Sequence, residues 1–180
     1  MHALRTAIAI TWAAFWIYWL ISAFGAKQST GRMRRLPLNG VTGLSVFILI
    51  RVFHGGSLVV HSTPLAAIGA LVFASGLALA VWARIHLGRN WGMPMTRKQE
   101  PELVTSGPYR LIRHPIYTGV LLAMLGTALA ADVYWFAAFA ITAAYFLYSA
   151  RVEERVMASA FPVAYAAYRT RTKMLIPFVL

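Results

Sequence analysis

Long uncharged apolar runs separated by short basic stretches set the pattern of this chain. Thr6 to Ala26, Val52 to Ala83, Pro115 to Ala131 and Val133 to Ala150 contain no Lys, Arg, Asp or Glu. The first, second and fourth runs are long enough to cross a hydrocarbon core of roughly 30 Å. A helix apolar on every face has no side left for water, which sets aside a soluble bundle of buried helices. The pattern predicts five helices: Thr6 to Ala26, Leu38 to just before Gly55-Gly56, Pro64 to Leu87, Pro115 to Ala131, and Val133 to Ala160. Asp132 marks a tight turn between the last two. Nothing breaks the fifth pattern before Pro162, so that helix should project two or three turns beyond the membrane. The stretch from Gly88 to His114 carries Pro94, Pro101, Gly107 and Pro108 and admits no continuous helix. The fold class is all-α: a polytopic membrane protein of one domain, 1–180, ending in a helical hairpin.

Side chains along these helices refine the picture. Trp12, Trp16 and Trp19 share one face of the first helix. They read first as lipid contacts and interfacial anchors, and alternatively as the lining of an acyl-chain groove. Arg51 stands a few residues before Gly55-Gly56, where snorkelling to headgroups is cheaper than a place in mid-membrane; His54 and His61 follow. In the third helix Ala66, Ala70, Ala74 and Ala78 recur every fourth residue beside Gly69 and Gly76, a small-residue stripe suited to close packing in lipid. Arg84, His86 and Arg89 mark that helix's exit into headgroups or water. The opening Met1 to Arg5 resembles a signal peptide, but the apolar run is too long and lacks a small-residue cleavage pattern, so it is expected to stay as a membrane helix.

Charge gives orientation. The chain is 59% hydrophobic and 12% charged, with a net charge of +12. Four cations lie between Lys27 and Arg35, six between Arg84 and Arg113, and five between Arg151 and Lys173. With five spans all of these fall on one side. The positive-inside rule then puts the N-terminus outside and the C-terminus in the cytosol, as expected of a multi-pass protein of a bacterial inner membrane. These basic loops fit anionic headgroups and contain no nucleic-acid-reading module. The absence of cysteine excludes disulfides and thiolate metal sites.

The hairpin about Asp132 also locates the chemistry. Counting 18 residues back reaches His114 and 18 forward reaches Ala150, points of similar depth. The Arg110 to Tyr117 and Arg151 to Arg155 segments should therefore meet at the cytosolic mouth. Pro115 suits a first helical position. The N–H groups of Ile116, Tyr117 and Thr118, with the helix dipole, Arg110 and Arg113, offer a place for a carboxylate; the plainer alternative is a helix cap beside topological arginines. Glu153 and Glu154 point about 100° apart, one toward the hairpin partner and one toward the pocket. They read either as salt-bridge partners of Arg151, Arg155 and the arginines before the fourth helix, or as acceptors for an ammonium or ribose hydroxyl. An amino-acid-bearing nucleoside matches that polarity.

Several blocks carry a resemblance. Leu87-Gly88-Arg89-Asn90-Trp91, then Glu102-Leu103-Val104-Thr105-Ser106-Gly107-Pro108-Tyr109-Arg110-Leu111-Ile112-Arg113-His114-Pro115-Ile116-Tyr117-Thr118-Gly119, then Arg151-Val152-Glu153-Glu154 with Phe161, Tyr165, Tyr168 and Ile176-Pro177 occur in order. Over roughly residues 65 to 177 the chain resembles the isoprenylcysteine carboxyl methyltransferase and phospholipid methyltransferase group of integral membrane enzymes. Residues 64–180 then form the cofactor-binding core and 1–63 the variable N-terminal helices. The resemblance implies S-adenosyl-L-methionine as methyl donor and a lipophilic acceptor entering from the bilayer. It implies a cofactor pocket of Leu103, Val104, Gly107, Tyr109, Arg113, His114, Pro115, Tyr117 and Gly119, with Glu153 and Glu154 on the other wall. Pro101 stands where the family often has a histidine, and Phe161-Pro162 where a Phe-Gly pair is usual.

An activated sulfonium methyl asks chiefly for alignment and exclusion of water. Glu153, Glu154 and Arg113 are the expected catalytic residues, with His114 and Arg113 positioning the cofactor. A carboxylate acceptor needs no base; an amine needs Glu153, Glu154 or His114 as proton acceptor. The acceptor is expected to be small or lipid-like: an isoprenylcysteine-like carboxylate, a lipid amine or a small thiol. Two other classes remain. A sterol-type reductase uses a similar Arg-His-Pro segment with NADPH, although an adjacent glutamate pair suits a phosphate-rich cofactor poorly. A scaffold or small transporter would keep its function without both glutamates.

Overall fold

The computed structural model describes residues 2–24, 62–91, 102–131 and 133–176. The helix expected from Leu38 with Arg51, His54 and His61, the prolines at 94, 101 and 177, and the turn residue Asp132 lie outside the described residues. Five helices are present among those described: α1 (His2–Ala23), α2 (Thr63–Leu87), α3 (Pro115–Ala130), α4 (Trp135–Ala160) and α5 (Pro162–Arg171). Short 3-10 turns occupy Gly88–Asn90 and Gly107–Arg110. The spans His2–Ser22, Thr63–Asn90 and Trp135–Ala160 are long and apolar enough to cross a membrane, while Pro115–Ala130 is a shorter apolar helix.

Local chemistry fixes the ends. Ser62 caps α2 by accepting the Leu65 N–H, and Gly88 closes it at φ 52°. Pro115 opens α3. Pro162 ends α4, and Phe161 serves as its C-cap and as the N-cap of α5.

α2 and α3 form an antiparallel seam that organises the rest. Where a Cβ would sit on Gly69, Ala130 N is 2.6 Å away; on Gly76, Ala123 N is 2.4 Å away; on Gly126, Phe73 N is 2.3 Å away. Backbones this close leave room for no side chain, and they gain dispersion contacts that lipid cannot supply. The expected stripe is corrected here. Ala66, Gly69, Phe73, Gly76, Ala80 and Ala83 are buried, whereas Ala74 and Ala78 are exposed. A strict four-residue repeat drifts around the helix, while alternating steps of three and four keep one face.

α1 packs its Ile8, Trp12 and Phe15 into the same core. Trp12 is therefore no lipid anchor: it is buried, and its indole N–H donates to Thr127 Oγ1 at 3.1 Å. Trp16, by contrast, is 49% exposed. Arg84 is also corrected, being buried rather than emerging into water. It donates to Ser22 O at 2.5 Å and Gly88 O at 2.7 Å, and its guanidinium lies 4.9 Å from the Trp91 ring centroid. One cation thus satisfies carbonyls at the C-terminal ends of both α1 and α2.

Candidate active site

α3 and α4 are antiparallel, and equal counting from their turn brings the α3 N-terminus to the Glu153 level of α4. Arg113 Nε donates to Glu154 Oε1 at 2.6 Å and its Nη1 to Thr172 O at 2.5 Å. Tyr117 donates its hydroxyl hydrogen to Glu153 Oε1 at 2.5 Å. His114 stands between the carboxylates, Nδ1 3.5 Å from Glu153 Oε2 and Nε2 3.6 Å from Glu154 Oε1. Arg169 Nε, on α5, is 3.8 Å from Glu154 Oε2.

These groups differ in exposure. The Arg113 and Glu154 side chains are 9% and 8% exposed, against 27% for Glu153. Glu154 is thus committed to cations, and Glu153 is the more open carboxylate. His114 Nε2 is buried, and Glu154 Oε1 lies just beyond hydrogen-bond length from it. Three parallel rings order the wall: His114 over Tyr117 at 5.4 Å between centroids, and Tyr117 over Phe146 at 4.3 Å.

Burial by itself would depress the His114 pKa; the hydrogen bonds and charges of Glu153 and Glu154 oppose it and set a net upward shift. Burial pushes the Tyr109 and Tyr165 phenols up, and Tyr168 up to about 12. These phenols stay protonated. Tyr168 uses its proton to donate to Tyr109 O at 2.7 Å, tying α5 to the Gly107–Arg110 turn.

The C-terminal segment closes the α3 end. Ile112 and Lys173 form a parallel bridge; Arg113 N–H donates to Lys173 O at 2.8 Å and His114 N–H to Met174 O at 3.1 Å. Thr118 Oγ1 donates to Leu175 O at 2.6 Å. The Thr118 N–H belongs to the helix, donating to His114 O at 3.1 Å, so it is not available to an anion as the sequence suggested.

Other expected residues fall in two groups. Arg113, His114, Tyr117, Glu153 and Glu154 converge, with Pro115 buried at the helix start. Gly119 instead faces α2, where a Cβ would lie 2.6 Å from Ala80 N and Gly76 O. Gly107, at φ 56°, packs under His86, whose ring would be 2.3 Å from a Cβ there. Leu103 and Val104 are half-buried in the segment leading to that turn, and Tyr109 is buried beside it. Arg110, Arg151 and Arg155 are exposed, and Arg155 Nε turns back to Arg151 O. Arg169, Thr172, Phe146 and Tyr168 were not anticipated as parts of this cluster; their roles come from through-space neighbours, although Tyr168 belonged to a quoted block.

The family description "Phospholipid methyltransferase" matches residues 65–164, more than half of the chain. The chain belongs to this family. The matched span holds Arg113, His114, Tyr117, Glu153 and Glu154, while Arg169 and Thr172 lie beyond it. The chain is also 38% identical over 94 residues to the cobalt-zinc-cadmium resistance protein CzcN of Cupriavidus metallidurans, covering 51% of this chain and 43% of that protein. It therefore spans less than half the length of this curated relative. Its fold is shared with the eukaryotic intramembrane Ras methyltransferase ICMT (isoprenylcysteine carboxyl methyltransferase), with a TM-score of 0.62 and 24% identity over 79% of this chain and 53% of that one.

Proposed function

We propose that this family member transfers a methyl group from S-adenosylmethionine to a small or lipid-like acceptor at the Arg113–Glu154 end of the α3–α4 hairpin. The observation that carries this reading is the cluster in which His114 stands between two carboxylates, one paired by Arg113 and the other bonded by Tyr117. Its donor set fits the cofactor. Glu153, the more exposed carboxylate, suits an ammonium or ribose hydroxyl, and His114, buried between the two carboxylates, holds them in place for it. When bound, the cofactor supplies an electrophilic methyl, so the protein's own task is positional.

Arg113 holds Glu154 and the C-terminal carbonyl of Thr172, making the pocket's rear wall rigid. Tyr117 orients Glu153, and the His114–Tyr117–Phe146 stack keeps water from that side. For an amine acceptor, Glu153 or His114 takes the proton; an isoprenylcysteine-like carboxylate or a small thiolate needs none removed.

Five spans complete the reading. The Arg84–Ser22 contact holds the C-terminal ends of α1 and α2 side by side, which supports the even number of crossings between these ends that the five-span reading needs. Together with the basic stretches, this supports an outside N-terminus and a cytosolic site. Calorimetry of the detergent-purified protein tests the function: S-adenosylmethionine should bind and NADPH should not. NADPH binding alone would overturn it.

A further inference from the structure

α3 has 16 residues, about 24 Å at 1.5 Å per residue, against a core of roughly 30 Å. On the five-span reading, its His114 end therefore lies at the membrane boundary, with no stretch of α3 left to carry it clear of the headgroups. The C-terminal segment runs parallel to the chain entering α3: Lys173 pairs with Ile112, and Leu175 O reaches Thr118, one turn into the helix. Beyond Lys173 the chain thus turns back toward the membrane rather than away from it. Ile176 at that depth is 50% exposed, and Leu111 beside the bridge is 55% exposed. Arg110, next to Leu111, and Arg171 and Lys173, which flank Thr172 at the bridge, are exposed as well. Aliphatic side chains at acyl depth under a rim of cations have the chemistry of an anionic lipid surface.

We propose that residues 171–176 and the Arg110-Leu111 pair form a lip inserted into an anionic leaflet, Ile176 and Leu111 among the upper acyl carbons and Arg110, Arg171 and Lys173 on headgroup phosphates. The lip carries the Thr172, Lys173 and Met174 carbonyls that hold Arg113 and His114. Anionic lipid should therefore stabilise the site itself. The inference rests on α3 and α4 crossing the membrane, as proposed above.

The chain has no cysteine, so Ile176→Cys and Leu111→Cys each give one labelling site. Each would carry an environment-sensitive fluorophore in nanodiscs of phosphatidylcholine, with or without phosphatidylglycerol. Ile141→Cys in mid-span and Ser159→Cys on the projecting end of α4 are controls. The expected result is loss of fluorescence at 176 and 111 to a nitroxide on the upper acyl chain, with protection from aqueous iodide. The loss should be deeper with phosphatidylglycerol and weakened by Arg171→Glu with Lys173→Glu. Iodide quenching at 176 and 111, with Ile141 quenched by the nitroxide, overturns the lip while leaving the spans intact. A label reached by neither quencher means that protein covers the patch, and it also overturns the proposal. Equal nitroxide quenching in both lipids overturns the anionic preference. A label at 141 open to iodide removes the membrane-span premise, and the lip with it.

Discussion

Arg113 and Glu154, 41 residues apart in sequence, meet at 2.6 Å with their side chains almost wholly buried. The bond ties the start of α3 to α4 and, through Thr172 O, to the chain after α5. A charge stranded by loss of its buried partner costs about 3–5 kcal/mol. Glu154→Gln should therefore destabilise the protein by about 3 kcal/mol, and Arg113→Ala with Glu154→Ala by clearly less than the two single losses summed. Denaturant unfolding of these four variants beside the wild type checks this, and simple additivity of the alanine pair would show that the two residues are not coupled.

Tyr117 serves Glu153 through its hydroxyl and Phe146 through its ring. Tyr117→Phe keeps the stack and deletes one hydrogen bond to a charged group, worth about 1.5–3 kcal/mol. On the proposed function, S-adenosylmethionine affinity should fall about tenfold, 1.4 kcal/mol, with the ring packing retained. Unchanged affinity by calorimetry would remove Tyr117 and the orientation of Glu153 from the binding argument.

His114 predicts a pH dependence. Its folded pKa lies above the ordinary histidine value of about 6.5, because two carboxylates outweigh burial. Its stabilising contribution is complete below about pH 6.5 and is lost as pH rises through the folded value. The melting temperature should fall across that alkaline window, and His114→Gln should flatten the slope. An equal slope in both proteins would assign the transition to another group.

At the α2–α3 seam, Gly76→Ala forces a methyl to within 2.4 Å of Ala123 N. Overpacking of this kind costs about 1–3 kcal/mol. Ala74→Leu, two residues away on the exposed face, should be near neutral. Equal losses in the two variants, measured by thermal unfolding in detergent, would refute the assignment of the seam.

Gly107 carries two constraints that one double mutant separates. Gly107→Ala meets both φ 56° and the His86 ring. The left-handed conformation alone costs a non-glycine residue about 1–2 kcal/mol. Adding His86→Ala should recover the steric part and leave that remainder. Full recovery would show that the backbone conformation carries no cost.

Much of this protein was legible in its residues. Apolar runs, prolines and capping residues are local, and they placed α1 to α4 within a few residues of their observed ends. The symmetric count about the hairpin was enough to bring Arg113, His114 and Tyr117 to Glu153 and Glu154, because depth in an antiparallel pair follows from rise per residue alone.

What the sequence could not carry was rotation. A helix apolar around its whole circumference does not state which side meets its neighbour, so the seam ran through Gly69, Phe73 and Gly76 instead of Ala74 and Ala78. For the same reason Trp12 turned inward to Thr127, Arg84 turned to the ends of two helices, and Gly119 served packing. The sequence by itself determined α1 to α4 and the meeting of two polar segments. Only the tertiary structure decided which carboxylate is buried against arginines and which is the more exposed, because that choice depends on Arg169, Thr172 and the rings packed beside them.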